Sequence, residues 1–249
     1  MLAVLLSAGG ANAASVSVGF EHACAVLNDG KLMCWGGNGD GQLGIGVYGG
    51  HARAPVGPLN LGSGRTAKAV SCGQKHTCAI LDDDTLKCWG HNGWGYDGQL
   101  GYGDTTNRNA PEATAVVNLG SGRTPKAVSA GGSHTCAILD DDTLKCWGLN
   151  QRIGYGGGSG GTTAPKTTAV NLGSGRTAKA VSCGLSMTCA ILDDDTVKCW
   201  GFGSFGELGY GSTTSYFSPP SSTVNLGMGA TSVSTHYYSS CASLTNGGV

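Results

Sequence analysis

Residues 76–90 read HTCAILDDDTLKCWG, and residues 134–148 read the same letters without a change. A near copy, TCAILDDDTVKCWG, occupies residues 188–201. Aligned on their CWG triplets, the copies place Cys34, Cys88, Cys146 and Cys199 at intervals of 54, 58 and 53 residues. A fifth, incomplete copy starts near Val233, where SSCASLTNGGV aligns with MTCAILDDDTV. Self-similarity at such a period marks a repeat architecture, in which each unit buries its apolar surface only against its neighbours.

Within one unit, four short extended segments can be read. Around the second copy they are KAVS (68–71), TCAIL (77–81), LKCWG (86–90) and TAVVNL (114–119), each bounded by Gly, Asn, Asp or Ser. No helical period competes with them. TCAIL and LKCWG stand at hairpin spacing, and in the first copy LNDGK puts Gly30 where a type I turn plus bulge needs a left-handed residue. Asp84, Asp142 and Asp195 take that slot later, and Asp tolerates it better than most side chains.

This register sets Cys24 opposite Cys34, Cys78 opposite Cys88, Cys136 opposite Cys146 and Cys189 opposite Cys199. Directly opposed strand residues have Cα atoms about 4.5–5.5 Å apart, inside the window a disulfide requires. Four cross-hairpin bridges are therefore expected. One hairpin face carries Cys78, Ile80, Leu86 and Cys88, and the other Ala79, Leu81 and Trp89, so neither suits water. A sheet apolar on both faces must be sandwiched, and small four-stranded sheets stacked radially satisfy that requirement. The expected fold is an all-β propeller of four-stranded antiparallel blades, one domain over residues 1–249. Its repeats cover about 16–62, 68–120, 126–173 and 179–227, with a partial unit at 230–249. Whether the ring is partial, five-bladed or completed in an assembly stays open. So does the N-terminus: residues 1–15 fit either a degenerate outer strand or the remnant of an export signal that lacks a basic start.

The run GxxHTCAILDDDTLKCWGxNxxxGQLGxG resembles the regulator of chromosome condensation repeat family. The marks are His22, His76 and His134; Trp35, Trp89, Trp147 and Trp200; and GQLG at 41–44 and 98–101, with GELG at 206–209. Met187 departs from the His, and QRIG at 151–154 departs from GQLG. The resemblance implies the propeller fold and, in different branches, chromatin binding with nucleotide exchange on a small GTPase, ultraviolet reception through clustered tryptophans, or partner gripping by secreted inhibitory proteins. The first does not suit a formal net charge of −1, which provides no broad cationic field for nucleic acid. Paired cysteines point to an oxidising compartment. Four of the five tryptophans are the repeat's own, which argues against the photoreceptor branch.

Composition agrees with a turn-rich binding module. Glycine makes up 45 of 249 residues and charged residues only 12%. No apolar run is long enough for a spanning helix. No nucleophile, metalloprotease or phosphate-loop motif stands in a suitable context, so neither enzyme activity nor a cofactor is expected. The acidic turns at 82–84, 140–142 and 193–195 should share one face with Arg65, Arg123 and Arg176, as paired or solvated turns and not as a metal site. The three histidines are expected as hydrogen-bonding turn residues, and Cys72 and Cys183 as buried free thiols, while Cys241 lacks a partner cysteine. Thirteen of the 17 aromatic residues fall in connections of the opposite face. Rigid rings among Gly, Ser and Asn supply contact area at low entropic cost. Tyr102, Tyr155 and Tyr210 are expected to plug the blades; of the other ten, which include Phe20 and Tyr48, the partner-binding candidates are Trp94, Tyr96, Phe202, Phe205, Tyr216, Phe217, Tyr237 and Tyr238. The sequence thus reads as an extracellular or cell-surface protein-binding module. The competing reading is a structural subunit that self-assembles through an open blade.

Overall fold

The computed structural model describes residues 13–93 and 97–249. Five antiparallel sheets follow one another along the chain. Blade 1 consists of β1 (Ala13–Val18), β2 (His22–Leu27), β3 (Leu32–Gly37) and β4 (His51–Val56). Blade 2 has β5 (Ala67–Cys72), β6 (His76–Leu81) and β7 (Leu86–Gly90). Blade 3 has β8 (Pro125–Ala130), β9 (His134–Leu139), β10 (Leu144–Leu149) and the short β11 (Gly161–Thr162). Blade 4 has β12 (Ala178–Cys183), β13 (Met187–Leu192) and β14 (Val197–Gly201), and blade 5 has β15 (Ala230–His236) and β16 (Ser239–Leu244). The inner strands β1, β5, β8, β12 and β15 pack in that order around one axis.

The expectation of four strands in every blade holds in blades 1 and 3 only. In blade 2 the outer segment touches the sheet at Gly90↔Arg108, and Val117 N–H donates to Leu86 O. Blade 4 repeats this with Gly201↔Tyr216 and Val197↔Val224. Between those touches the chain carries Pro111, or Pro219 and Pro220, which have no N–H to give a ladder. At the N-terminus, residues 13–15 join the innermost strand of blade 1 instead of an outer one, and residues 1–12 lie outside the described residues.

The hairpin turns have the expected left-handed residue, at φ 78° for Gly30 and 61°, 62° and 64° for Asp84, Asp142 and Asp195. Cysteines face each other in register in all four hairpins and are bonded there, with Cα atoms 4.0–4.1 Å apart. Closing a loop of about 11 residues contributes about 3 kcal/mol by the chain-entropy model. The sulfurs lie in the interfaces between blades but join only the two strands of one hairpin.

Every residue of β6, β7, β9, β13 and β14 is buried, on both faces of its strand, which reflects the sandwiching. The core is a series of interfaces. Cys78, Ile80, Leu86 and Cys88 of blade 2 meet Ala137, Leu139 and Trp147 of blade 3. Blade 1 meets blade 2, and blade 3 meets blade 4, through the equivalent residues. Each unit thus offers a Cys/Ile/Leu face forward and an Ala/Leu/Trp face backward, and for that reason one sequence can be reused.

Candidate partner-binding rim

The repeat's polar marks form a latch between successive blades. Trp89 Nε1 donates to Gln42 O at 3.1 Å, Trp147 to Gln99 O at 2.9 Å and Trp200 to Arg152 O at 3.0 Å. The same three carbonyls accept from Thr77, Thr135 and Thr188 Oγ1, each at 2.8 Å. In turn His22, His76 and His134 reach forward to those threonines at 2.7, 2.9 and 2.8 Å. Because each hydroxyl proton goes to a carbonyl, the imidazole Nε2–H must be the donor, which sets the neutral tautomer. Burial pushes His22 down to about 4 and His76 to about 3, the latter with help from the charges of His22 and His91, and holds His134 well below the ordinary value. Only backbone is needed from the loop, so the QRIG departure is harmless: Arg152 supplies the carbonyl and Ile153 fills the leucine's place. Its final glycine is required, since a Cβ on Gly44 or Gly101 would lie 2.6 Å from the docked indole nitrogen.

Two further contacts repeat. Ser17, Ser71 and Ser129 Oγ accept the inner-strand N–H of Cys72, Ala130 and Cys183, each at 2.9 Å. Lys87, Lys145 and Lys198 are buried, with Nζ donating to Leu61, Leu119 and Leu172 O at 2.9, 2.8 and 3.0 Å. Into blade 5 the latch is reduced to Ser240 Oγ donating to Glu207 O at 2.7 Å. Met187 stands at the histidine position and has no proton to offer.

On the face of the acidic turns, carboxylates are engaged by cations and backbone. Arg65 pairs with Asp82 and Asp83, and Lys68 with Asp84, and blades 3 and 4 repeat the arrangement. These pairs are exposed and contribute little each.

On the other face the ends of all five inner strands surround an axial depression, lined by Phe20, Cys72, Ala130, Cys183 and Tyr237 among others. Beside it the rings of Phe20 and Tyr237 lie 5.6 Å apart, Tyr237 and Tyr238 5.2 Å, and Tyr238 and Phe205 5.1 Å. All four are exposed, Phe205 to 74%. Phe202 and Phe217 pair edge to face at 5.7 Å and are half-buried. Tyr216, also half-buried, packs against two core clusters and against Tyr210 at 5.4 Å, which gives it a structural role beside the one expected of it. Tyr102 and Tyr210 plug their blades as expected, accepting from Cys88 N at 3.1 Å and Cys199 N at 3.0 Å, while Tyr155 donates to Thr168 O at 2.9 Å. Trp94 and Tyr96 lie outside the described residues. Phe20 belongs to the aromatics expected on this face but not to the partner-binding candidates, because its meeting with Tyr237 joins the first and fifth blades and leaves no local signal.

Among the described residues no helix is long and apolar enough to cross a membrane. Blades, latch and rim define a repeat-built β-propeller. Residues 13–42, 67–99, 126–153 and 178–207 match the Regulator of chromosome condensation (RCC1) repeat, and a second pattern of the same description matches 29–80 and 88–138. The chain belongs to that family. It is 30% identical over 208 residues to the ultraviolet-B receptor UVR8 of Arabidopsis thaliana, covering 82% of this chain and 44% of the receptor. Human WBSCR16 superposes with a TM-score of 0.80 at 19% identity, covering 93% of this chain and 57% of that one. Prp20p of Saccharomyces cerevisiae, studied for its binding to Gsp1p and histones, superposes at 0.76 with 20% identity, covering 93% and 55%. The chain thus spans about half the length of these relatives, and at such identities the superpositions show the fold alone.

Proposed function

We propose that this chain is a non-enzymatic protein-binding module, exported to the cell surface or beyond, that grips a partner protein through its aromatic rim. The observation that carries this reading is the run of Phe20, Tyr237, Tyr238 and Phe205, four exposed rings in successive contact. Monomeric proteins seldom leave such rings contiguous without use, and aromatic anchors dominate binding energy at interfaces. The four disulfides support export. Prp20p offers precedent for protein binding on this fold, without carrying its partners over.

The test captures partners from the extracellular fraction of the source organism and compares three baits. Phe205→Ser/Tyr237→Ser/Tyr238→Ser should weaken binding by about 30-fold or more, as loss of an anchor worth about 2 kcal/mol implies. Asp83→Ser/Asp141→Ser/Asp194→Ser, on the opposite face, should bind as wild type does. Equal binding by both variants would remove the rim from the interface.

A second reading, a structural subunit completed by another chain, is favoured by one contrast. Trp35 of blade 1 is half-buried, while its counterparts Trp89, Trp147 and Trp200 are fully buried, and blade 5 has two strands with open edges. That reading expects sedimentation to reveal larger species as concentration rises, and a constant monomer refutes it.

A further inference from the structure

Cys72 and Cys183 carry free, buried thiols. Each belongs to an inner strand and faces the hairpin of the preceding blade. A ring nitrogen of His22 and the sulfurs of Cys24 and Cys72 lie within 4.8 Å of one another, and so do those of His134, Cys136 and Cys183. Cys34 and Cys146 are bonded to two of those sulfurs, so opening either bridge adds another thiol at the same place. Burial pushes the Cys72 and Cys183 thiols up to about 12, which keeps them protonated and inert in the closed form. The Nδ1 atoms of His22 and His134 are buried without a hydrogen-bond partner, leaving each ring a lone pair to give.

We propose that His22, Cys24, Cys34 and Cys72 form one cation site, and His134, Cys136, Cys146 and Cys183 a second, each opened by reduction of its hairpin disulfide and each taking one zinc ion. Three sulfurs and one imidazole are a preferred structural set for this cation. Its bond lengths, about 2.3 Å to sulfur and 2.0–2.1 Å to nitrogen, ask these atoms to close by about 1 Å. In the reducing step a dithiol gives two electrons and two protons to the Cys24–Cys34 bond and becomes a cyclic disulfide. Zinc then displaces the protons of the thiols it binds, and these pass to buffer. Both Cys72 and Cys183 line the axial depression, which provides the entry path.

The repeat supplies its own controls. At the interface of blades 2 and 3 the position of Cys72 is held by Ala130, beside His76, Cys78 and Cys88. At that of blades 4 and 5 it is held by Thr235, and Met187 replaces the histidine. Two sites per chain are therefore expected, not four. The inference is independent of the partner-binding reading.

The full chain is reduced with a dithiol in the presence of Zn2+, freed of excess metal, and its bound zinc counted by native mass spectrometry. Two ions are expected on wild type, one on Cys72→Ala, none on Cys72→Ala/Cys183→Ala and none on the oxidised protein. Alanine is the natural occupant of the equivalent position 130, so the substitutions suit the fold. Ala130→Cys should raise the count to three. Replacing Zn2+ by Co2+ should produce the visible bands of tetrahedral thiolate coordination, lost in the double variant. Fewer than two ions on reduced wild type, whether it is folded or not, overturns the proposal. So does a count unchanged in any of these variants, or zinc bound equally without reduction.

Discussion

Replacing Trp147 by alanine is expected to cost about 3–5 kcal/mol of stability, the usual range for a buried tryptophan. Its ring is fully buried between blades 2 and 3, and its indole N–H donates to Gln99 O at 2.9 Å. Gln99 O would keep Thr135 as a donor, so the loss arises chiefly from the cavity and the vacated docking surface. Trp35→Ala is the control: the same residue type at the same repeat position, but half-buried, should cost less than half as much. Urea unfolding of the three proteins measures the difference. Equal losses would mean that the tryptophans serve their own hairpins and not the contact between blades.

Acid is expected to have an effect of similar size, and its sign follows from the buried histidines. In the folded state His22 titrates at about 4 and His76 at about 3, both lowered by burial, against about 6.5 in the unfolded chain. Between these limits the unfolded chain binds more protons, so stability rises with pH through the window and is complete above about 6.5. Lowering the pH to 4.5 should therefore cost about 2.5 kcal/mol for each of the two, and His134 acts in the same direction. The physical cause is specific: protonation puts a second N–H on an imidazole whose Nδ1 faces no acceptor. Asp140 and Asp193, held below the ordinary carboxylate value first by the backbone N–H of Thr124 and Thr177, lose their contribution only at lower pH. Thermal unfolding across pH 4.5 to 7 tests this, with His76→Gln expected to flatten the slope. A stability constant between pH 4.5 and 6.5 would refute it.

Much of the fold was legible because it is local. The hairpin register, the cysteine pairs and the left-handed turn residue all follow from the few residues between His76 and Gly90, and two-faced apolarity demanded neighbours on both sides. The outer strands were less legible. Residues 114–119 have the composition of a strand, yet only Val117 of that segment makes a backbone hydrogen bond to the sheet of its own blade, at Leu86 O, because proline and glycine send the chain outward. The histidines were read as hydrogen-bonding residues, but nothing in the sequence says that each reaches a threonine 54 to 59 positions away. The rim was legible as a composition and not as a constellation. Phe205, Tyr237 and Tyr238 were candidates as aromatics of the loop face, whereas Phe20 joins them only when the fifth blade comes round to the first. Tyr216 looked free because no repeat demanded it, although it lies where Arg108 lies in blade 2, paired across the sheet and packed inward.

Hydrogen exchange at the tryptophan indoles, read by NMR, tests most directly that the repeat's marks join one blade to the next. The indole protons of Trp89, Trp147 and Trp200, which donate to loop carbonyls of the preceding blade, should exchange orders of magnitude more slowly than that of Trp35. Four indoles exchanging alike, whether all protected or all at the solvent rate, would contradict it.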